Sequence, residues 1–167
     1  AMMLRVSRRF ANNVSMNFNY TWSKVMDLVD NDSDTIINPF DMRQNWGPAG
    51  YDQTNVITVD FVYSLPKVPG SWDTPVLRTI LNGWEVSGMI RSQSGQPFSV
   101  TSNGSLMGVD AGSQYPDVVG DPYEGRNKHR WINPAAFRRP LDGQYGNFQR
   151  NALRLPGVRN VDANLMK

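Results

Sequence analysis

The sequence predicts an all-β protein of antiparallel, up-and-down strands. Three observations predict it. Several segments alternate apolar and polar residues position by position. Turn formers are abundant, with 14 glycines and 11 prolines in 167 residues beside many Asn, Ser, Thr and Asp, while the helix formers Ala, Glu and Lys are sparse. The connections between the alternating segments fall into a short class and a long class.

The first strand covers about 3–10 and is the weakest. A short Ala11-Asn12-Asn13 turn joins it to the next, because Asn tolerates the positive φ of tight hairpins. The second strand, about 14–24, is the clearest. Val14, Met16, Phe18, Tyr20 and Trp22 take one parity; Ser15, Asn17, Asn19, Thr21 and Ser23 take the other. Side chains on a strand alternate between faces, so one face is apolar and the other small and polar, whereas a helix would scatter both sets.

In the third strand, about 55–65, Ile57, Val59, Phe61, Tyr63 and Leu65 share a face. Thr58, Asp60, Val62 and Ser64 oppose them, Asn55 is in phase with the apolar set and marks the strand's end, and Pro66 stops the ladder for want of an N–H. The fourth strand spans about 84–100. Trp84, Val86, Gly88 and Ile90 alternate with Glu85, Ser87, Met89 and Arg91, and Gly95-Gln96-Pro97 bends the strand or ends its ladder. In the fifth, about 158–167, Val161, Ala163 and Leu165 alternate with Asn160, Asp162, Asn164 and Met166.

The stretches 25–54 and 101–156 are long loops rich in Asp, Asn, Gly and Pro. If the strands run antiparallel in sequence order, both emerge at one end, and the shorter connections at 11–13 and 66–83 emerge at the other. Outer-membrane barrels show this asymmetry, with long external loops and short periplasmic turns.

A soluble β-rich module, binding carbohydrate or another ligand through Trp131 and Tyr123, is the competing reading of such strands. Three features favour a membrane. The polar face is mostly Asn, Ser and Thr with few charges, where a solvent-facing sheet usually carries Lys and Glu as well. The aromatics sit towards strand ends: Tyr20, Trp22 and Tyr51 near the long loops, Tyr63 and Trp84 near the short connections. Such rings form girdles at membrane interfaces. No second sheet is evident to cover the apolar face. The chain has no run of roughly 18 apolar residues, but a barrel strand needs only about 10 residues that are apolar on one side.

The expectation is therefore one domain, residues 1–167, forming an incomplete segment of a transmembrane β-barrel with long external loops. Lipid-facing or girdle positions are Val14, Met16, Phe18, Tyr20, Trp22, Ile57, Val59, Phe61, Tyr63, Trp84, Val86 and Ile90. Lumen-facing positions are Ser15, Asn17, Asn19, Thr21, Thr58, Asp60, Glu85, Ser87 and Arg91. An open sheet cannot stand in lipid, because its edges leave backbone groups unpaired; absent strands must complete it.

The residues give little support to chemistry. The formal charge of +2 implies no nucleic-acid partner, and the absence of cysteine removes a thiol nucleophile or thiolate metal site. His129, the one histidine, lies in a polar loop with no G-x-S-x-G motif. Asp30, Asp32 and Asp34 are spaced like a calcium loop, but Thr35 and Asp41 replace the Gly and Glu such a loop needs. No catalytic, cofactor or metal residue is expected. Arg126, Lys128 and Arg130, with Arg138 and Arg139, form a basic external-loop cluster. It either keeps the loop soluble or pairs with lipopolysaccharide phosphates or an anionic substrate. Trp46, Tyr115, Tyr123 and Trp131 either contact substrate or pack the loops.

Motifs in a shared order then add a resemblance. Asn19-Tyr20-Thr21-Trp22-Ser23-Lys24, Asn38-Pro39-Phe40-Asp41, Asn45-Trp46-Gly47 and Tyr51-Asp52-Gln53 come first. Val62-Tyr63-Ser64-Leu65-Pro66, Leu81-Asn82-Gly83-Trp84-Glu85-Val86-Ser87-Gly88 and Ser94-Gly95-Gln96-Pro97-Phe98 follow. Arg130-Trp131-Ile132-Asn133-Pro134-Ala135-Ala136-Phe137, Tyr145-Gly146-Asn147, Arg150-Asn151, Leu155-Pro156-Gly157 and Asn160-Val161-Asp162 complete the series. This order resembles the C-terminal barrel of TonB-dependent outer-membrane receptors of the Oar-like group. The resemblance implies a barrel of roughly 22 strands, an N-terminal plug, and TonB-coupled uptake of a scarce or large substrate. No plug, TonB box or N-terminal carboxypeptidase-regulatory-like domain lies in these residues, AMMLRVSRRF is no signal peptide, and Met166-Lys167 lacks a barrel's terminal aromatic. The expectation is a fragment.

Overall fold

The computed structural model describes residues 1–31, 36–67, 74–102 and 114–167. The chain divides into two compact units. One comprises Ala1–Ser23, Thr54–Ser94 and Gly157–Lys167; the other comprises Lys24–Gln53 and Gly95–Pro156. In chain order come β1 (Met2–Ala11), β2 (Val14–Trp22), β3 (Met26–Asp27), α1 (Met42–Asn45), β4 (Gly47–Pro48) and β5 (Asn55–Ser64). Then follow α2 (Pro75–Leu81), β6 (Glu85–Gln93), β7 (Pro97–Phe98), β8 (Asp117–Val118), β9 (Phe137–Arg138), β10 (Leu153–Arg154) and β11 (Val158–Met166).

The first unit is built on one antiparallel sheet in the order β1-β2-β5-β6-β11, with α2 in the connection from β5 to β6. Asn12 and Asn13 turn the chain from β1 into β2 with φ of 52° and 63°. Two consecutive positive φ values make the type I′ turn whose twist suits a hairpin. Between Arg8 and Ala11 the register shifts, so β1 holds one residue more than its partner, a bulge that increases local twist.

Register decides the faces. Val6, Phe18, Val59, Ile90 and Val161 lie in one cross-strand row. Leu4, Tyr20 and Ile57 lie in a neighbouring row, and Tyr63, Val86 and Leu165 in another. A slip of one residue on any strand would reverse its faces, and none occurs among these rows. Each cross-strand pair adds roughly 0.2–1 kcal/mol.

Gly88 sits opposite Phe61 in this sheet. A Cβ there would lie 2.7 Å from the Asp162 carbonyl oxygen and 3.0 Å from the Phe61 ring. The glycine thus lets an aromatic side chain lie over the β6 backbone, the pairing that compensates a glycine in a strand.

The fourth strand is shorter than the expected span of about 84–100 and stops before Gly95-Gln96-Pro97, the stretch expected to bend it or end its ladder. It ends at Gln93, and the chain from Gly95 onward belongs to the second unit, where β7 pairs with β10. The cause is close approach: a Cβ on Gly95 would lie 1.7 Å from the Leu155 carbonyl oxygen. Trp84 precedes β6 rather than standing in it.

The stretches read as long loops form the second unit, which has a core of its own. Ile37, Tyr115, Phe148 and Leu153 are buried there, with Phe98, Val100, Val118, Tyr123, Ile132 and Phe137 packed against them. Phe148 meets Tyr115 and Phe137 edge to face, with centroids 6.2 and 5.7 Å apart. Among its described residues the strands are two residues long, which is why strand periodicity is silent there.

Gly88→Ala is expected to destabilise the complete barrel by about 1–3 kcal/mol, the usual cost of overpacking. The urea midpoint in lipid vesicles measures it; an unchanged midpoint would contradict the close Phe61–Gly88 contact.

Candidate functional site

The polar face of the sheet brings together all nine residues expected to face a lumen. Arg5, Asn19, Thr58, Arg91 and Asn160 form one cross-strand row. Ser7, Asn17, Asp60, Met89 and Asp162 form the next, and Ser15, Val62, Ser87 and Asn164 the one after. Thr21 pairs with Val56 towards one end, and Ser64 with Glu85 towards the other, where the Ser64 hydroxyl donates to Glu85 Oε2 at 3.3 Å. A shallow depression of about 300 Å³ lies among Ser15, Asn17, Asp60, Ser87, Met89 and Asp162. Asp162 and Asn164 belong to this face by the parity of β11, the signal that identifies them from sequence. Asp60, Arg91 and Asp162 enter no ion pair among the described residues. Charges left open in this way suit water, not a packed interior.

The other face is apolar and uncovered. Leu4, Val6, Val161 and Leu165 are about half exposed or more, and Met16, Trp22, Tyr63 and Ile90 are also exposed. Its aromatic ends have polar partners. Tyr20 donates its hydroxyl to Asn55 Oδ1 at 2.7 Å. At the opposite end Trp84 Nε1 donates to the Ile80 carbonyl at 2.6 Å, and Lys167 Nζ lies 5.4 Å from the Trp84 ring centroid. An aromatic ring with one satisfied polar tip fits a membrane interface. Tyr51 is exposed on the second unit.

Strand ends show where the long excursions leave. Trp22 pairs with Asn55, and Gln93 with both Val56 and Val158, so both excursions depart and return at one end of the sheet.

Inside the second unit, polar side chains join segments about a hundred residues apart. Arg150 is buried and pairs with Asp27, and its Nη2 lies 2.8 Å from Asp30 Oδ2. Asp52 is fully buried, accepts from the Val25 N–H at 2.8 Å and pairs with Arg154 at 2.6 Å. Gln44 Nε2 donates to the Gly146 carbonyl and, at 2.9 Å, to the Phe148 carbonyl, while its Oε1 accepts from Asn38 Nδ2 at 2.9 Å. Asn151 Nδ2 donates to the Pro48 carbonyl at 2.8 Å. Asn133 caps a 3-10 turn at Pro134–Ala136 by accepting from the Ala135 N–H at 3.2 Å. Asn38, Asp52, Asn133, Arg150 and Asn151 belong to the motifs that carry the sequence resemblance, and their visible role is to fasten the excursions. Nothing in the alternation identified Asp27, Gln44, Asp52, Arg150 or Arg154 as partners.

The remaining candidates separate. Tyr115 is core, Trp46 is exposed, and Tyr123 and Trp131 are half-buried. Arg138 and Arg139 are paired with Asp117 and Asp142 at 3.7 and 3.2 Å. Arg126, Lys128, His129 and Arg130 occupy an exposed turn. Asp32, Asp34 and Thr35 of the calcium-like spacing lie outside the described residues, and Asp30 is engaged by the Gly50 N–H and Arg150.

Asp30 gives the second unit an acid sensitivity. Burial opposes its ionisation, but the Gly50 N–H and the Arg150 guanidinium outweigh burial and hold its carboxyl below its ordinary 3.8. A depressed folded pKa contributes stability that is present above the unfolded value and lost as pH falls through the folded one. Pepsin cleavage between Lys24 and Gln53 should therefore rise as pH drops from about 4 to about 2, through the carboxylate range. Asp30→Asn should already be cleaved at about pH 4, with a shallower pH dependence; coincident profiles would contradict the linkage.

Among the described residues no helix is long and apolar enough to cross a membrane, a fact that leaves strands free to do so. A family model for the outer membrane beta barrel domain matches residues 1–167. No curated protein and no solved structure matches. The sheet is open, with β1 and β11 at its edges, and so represents part of a barrel. With its two-faced antiparallel strands and a family match over its whole length, the chain belongs to the outer membrane beta barrel domain family and localises to the bacterial outer membrane.

Proposed function

We propose that this chain is the C-terminal part of a TonB-dependent receptor barrel that takes up a substrate across the outer membrane. The observation that carries the transport reading is the register. It gathers Ser15, Asn17, Thr58, Asp60, Ser87 and Arg91 on one face, and Phe18, Val59, Phe61 and Ile90 on the other. The first set lines a wet lumen and the second meets lipid, as barrel strands require. The ordered motifs, from Asn19-Tyr20-Thr21-Trp22-Ser23-Lys24 to Asn160-Val161-Asp162, support the receptor group.

On this reading the chain does no covalent chemistry. Its partners are outer-membrane lipid, the remaining barrel strands, a plug domain, and TonB acting through the complete receptor. No nucleic acid is involved. The uncovered apolar face and the family match favour this reading over a soluble ligand-binding module.

Two measurements test it. Phe18→Arg or Phe61→Arg in the complete protein should cost about 2–4 kcal/mol in lipid, the cost of a cation near the bilayer midplane. Asn17→Arg should cost less than about 1 kcal/mol, since water solvates it. Equal costs would remove the lipid–lumen assignment. The receptor assignment is tested separately: deleting tonB, or the TonB-contacting segment of the complete protein, should abolish substrate uptake while leaving the barrel in the outer membrane. Undiminished uptake would make it a passive pore.

A further inference from the structure

The turn around Gly125–Trp131 holds an arginine on an aromatic platform. Arg126 Cζ lies 4.3 Å from the centroid of the Trp131 ring and 5.2 Å from that of Tyr123. Both rings are tied to one backbone residue. Trp131 Nε1 donates to the Arg154 carbonyl at 2.7 Å, and the Arg154 N–H donates to the Tyr123 hydroxyl oxygen at 2.8 Å. The Arg154 side chain is in turn held by buried Asp52. The turn is fixed as well: Asn127 Oδ1 accepts from the N–H groups of His129 and Arg130, each at 2.9 Å.

The cations of this turn are held without a direct ion pair among the described residues. Among the described residues no carboxylate lies within ion-pair distance of Arg126, Lys128 or Arg130. Arg130 donates to Asn133 Oδ1, an uncharged acceptor, and Glu124 accepts from Asn133 Nδ2 at 3.4 Å. The nearby Arg138 and Arg139 are instead neutralised by their aspartates. A guanidinium over an aromatic ring keeps its charge, and its N–H donors lie in its own plane, free to grip an anion. Holding the side chain in place beforehand removes part of the ordering cost of binding.

We propose that Arg126, with Lys128 and Arg130, forms a binding site for a phosphoryl group on the second unit. Three cations in one turn match the charge of a phosphate monoester better than that of a single carboxylate. The phosphoryl group has two sources in this setting, a glycolipid headgroup of the outer leaflet and a soluble phosphorylated solute.

Calorimetric titration of the complete protein in uncharged detergent tests the site with two probes: bisphosphorylated lipid A in the same micelles, and glucose 1-phosphate. Binding of lipid A alone identifies the headgroup source; binding of glucose 1-phosphate identifies the soluble source. For whichever binds, Arg126→Gln should weaken affinity roughly tenfold, the loss of a charge-assisted contact. Arg126→Lys should weaken it about threefold or more, because it keeps the charge but loses the fork. Lys128→Gln, away from the ring platform, provides a second variant. The Arg138→Gln, Arg139→Gln double variant should bind within about twofold of the unaltered protein, less than 0.5 kcal/mol. The proposal is overturned if neither probe binds, if Arg126→Gln and Lys128→Gln keep full affinity, or if the Arg138/Arg139 variant loses as much.

Discussion

Every backbone N–H and C=O that enters hydrocarbon must find a partner within the protein, and the rest of this molecule depends on that demand. The five-stranded sheet meets it internally through its ladders, unbroken from β2 to β11, such as Val14–Trp22 against Asn55–Tyr63. Its edges β1 and β11 do not meet it alone. Each edge has a strand on one side only among the described residues, and in a closed barrel adjoining strands would pair with the other. The same demand explains why the strands stop where they do. Pro66 follows β5, and beyond Ser94 the chain leaves the sheet for a folded excursion.

Once the ladders are set, side-chain alternation follows without further instruction, and the two faces acquire different chemistry. The row Phe18–Val59–Ile90 offers nothing to water. The adjacent row Asn17–Asp60–Met89–Asp162 offers two carboxylates and an amide, and among the described residues neither carboxylate enters an ion pair. The second unit follows a different logic. Its apolar core is small, and its segments are tied by buried ionic and amide contacts such as Asp52–Arg154 and Gln44–Phe148. Breaking one partner of such a buried pair is costly even where the intact pair adds little net stability.

These two logics explain what was legible in the sequence. The strands were legible because period two is a local signal: Val14, Met16, Phe18, Tyr20 and Trp22 declare a face without reference to any other segment. The Asn12-Asn13 turn was legible for a similar reason, since two adjacent Asn residues supply two positive φ values. The break after β6 was legible in Gly95-Gln96-Pro97, though the approach of Leu155 to Gly95 is invisible from Gly95 alone. The fastening of the second unit was not legible at all. Asp27 and Arg150 stand 123 positions apart, and no periodicity connects them. Arg126, Arg138 and Arg139 looked like one basic cluster; only the structure separates those paired with aspartate from the one resting on Trp131.

The central claim is that neighbouring residues along one strand face lipid and water in turn. The chain has no cysteine, so single cysteines placed from Ser15 to Asn19 and from Thr58 to Phe61 report each face cleanly in the membrane-inserted protein. The account predicts a period of two. Fluorophores at Met16, Phe18, Val59 and Phe61 are quenched by nitroxide-labelled lipid, and cysteines at Ser15, Asn17, Asn19, Thr58 and Asp60 react with a water-soluble maleimide. Uniform quenching, uniform labelling, or the reverse alternation would contradict it.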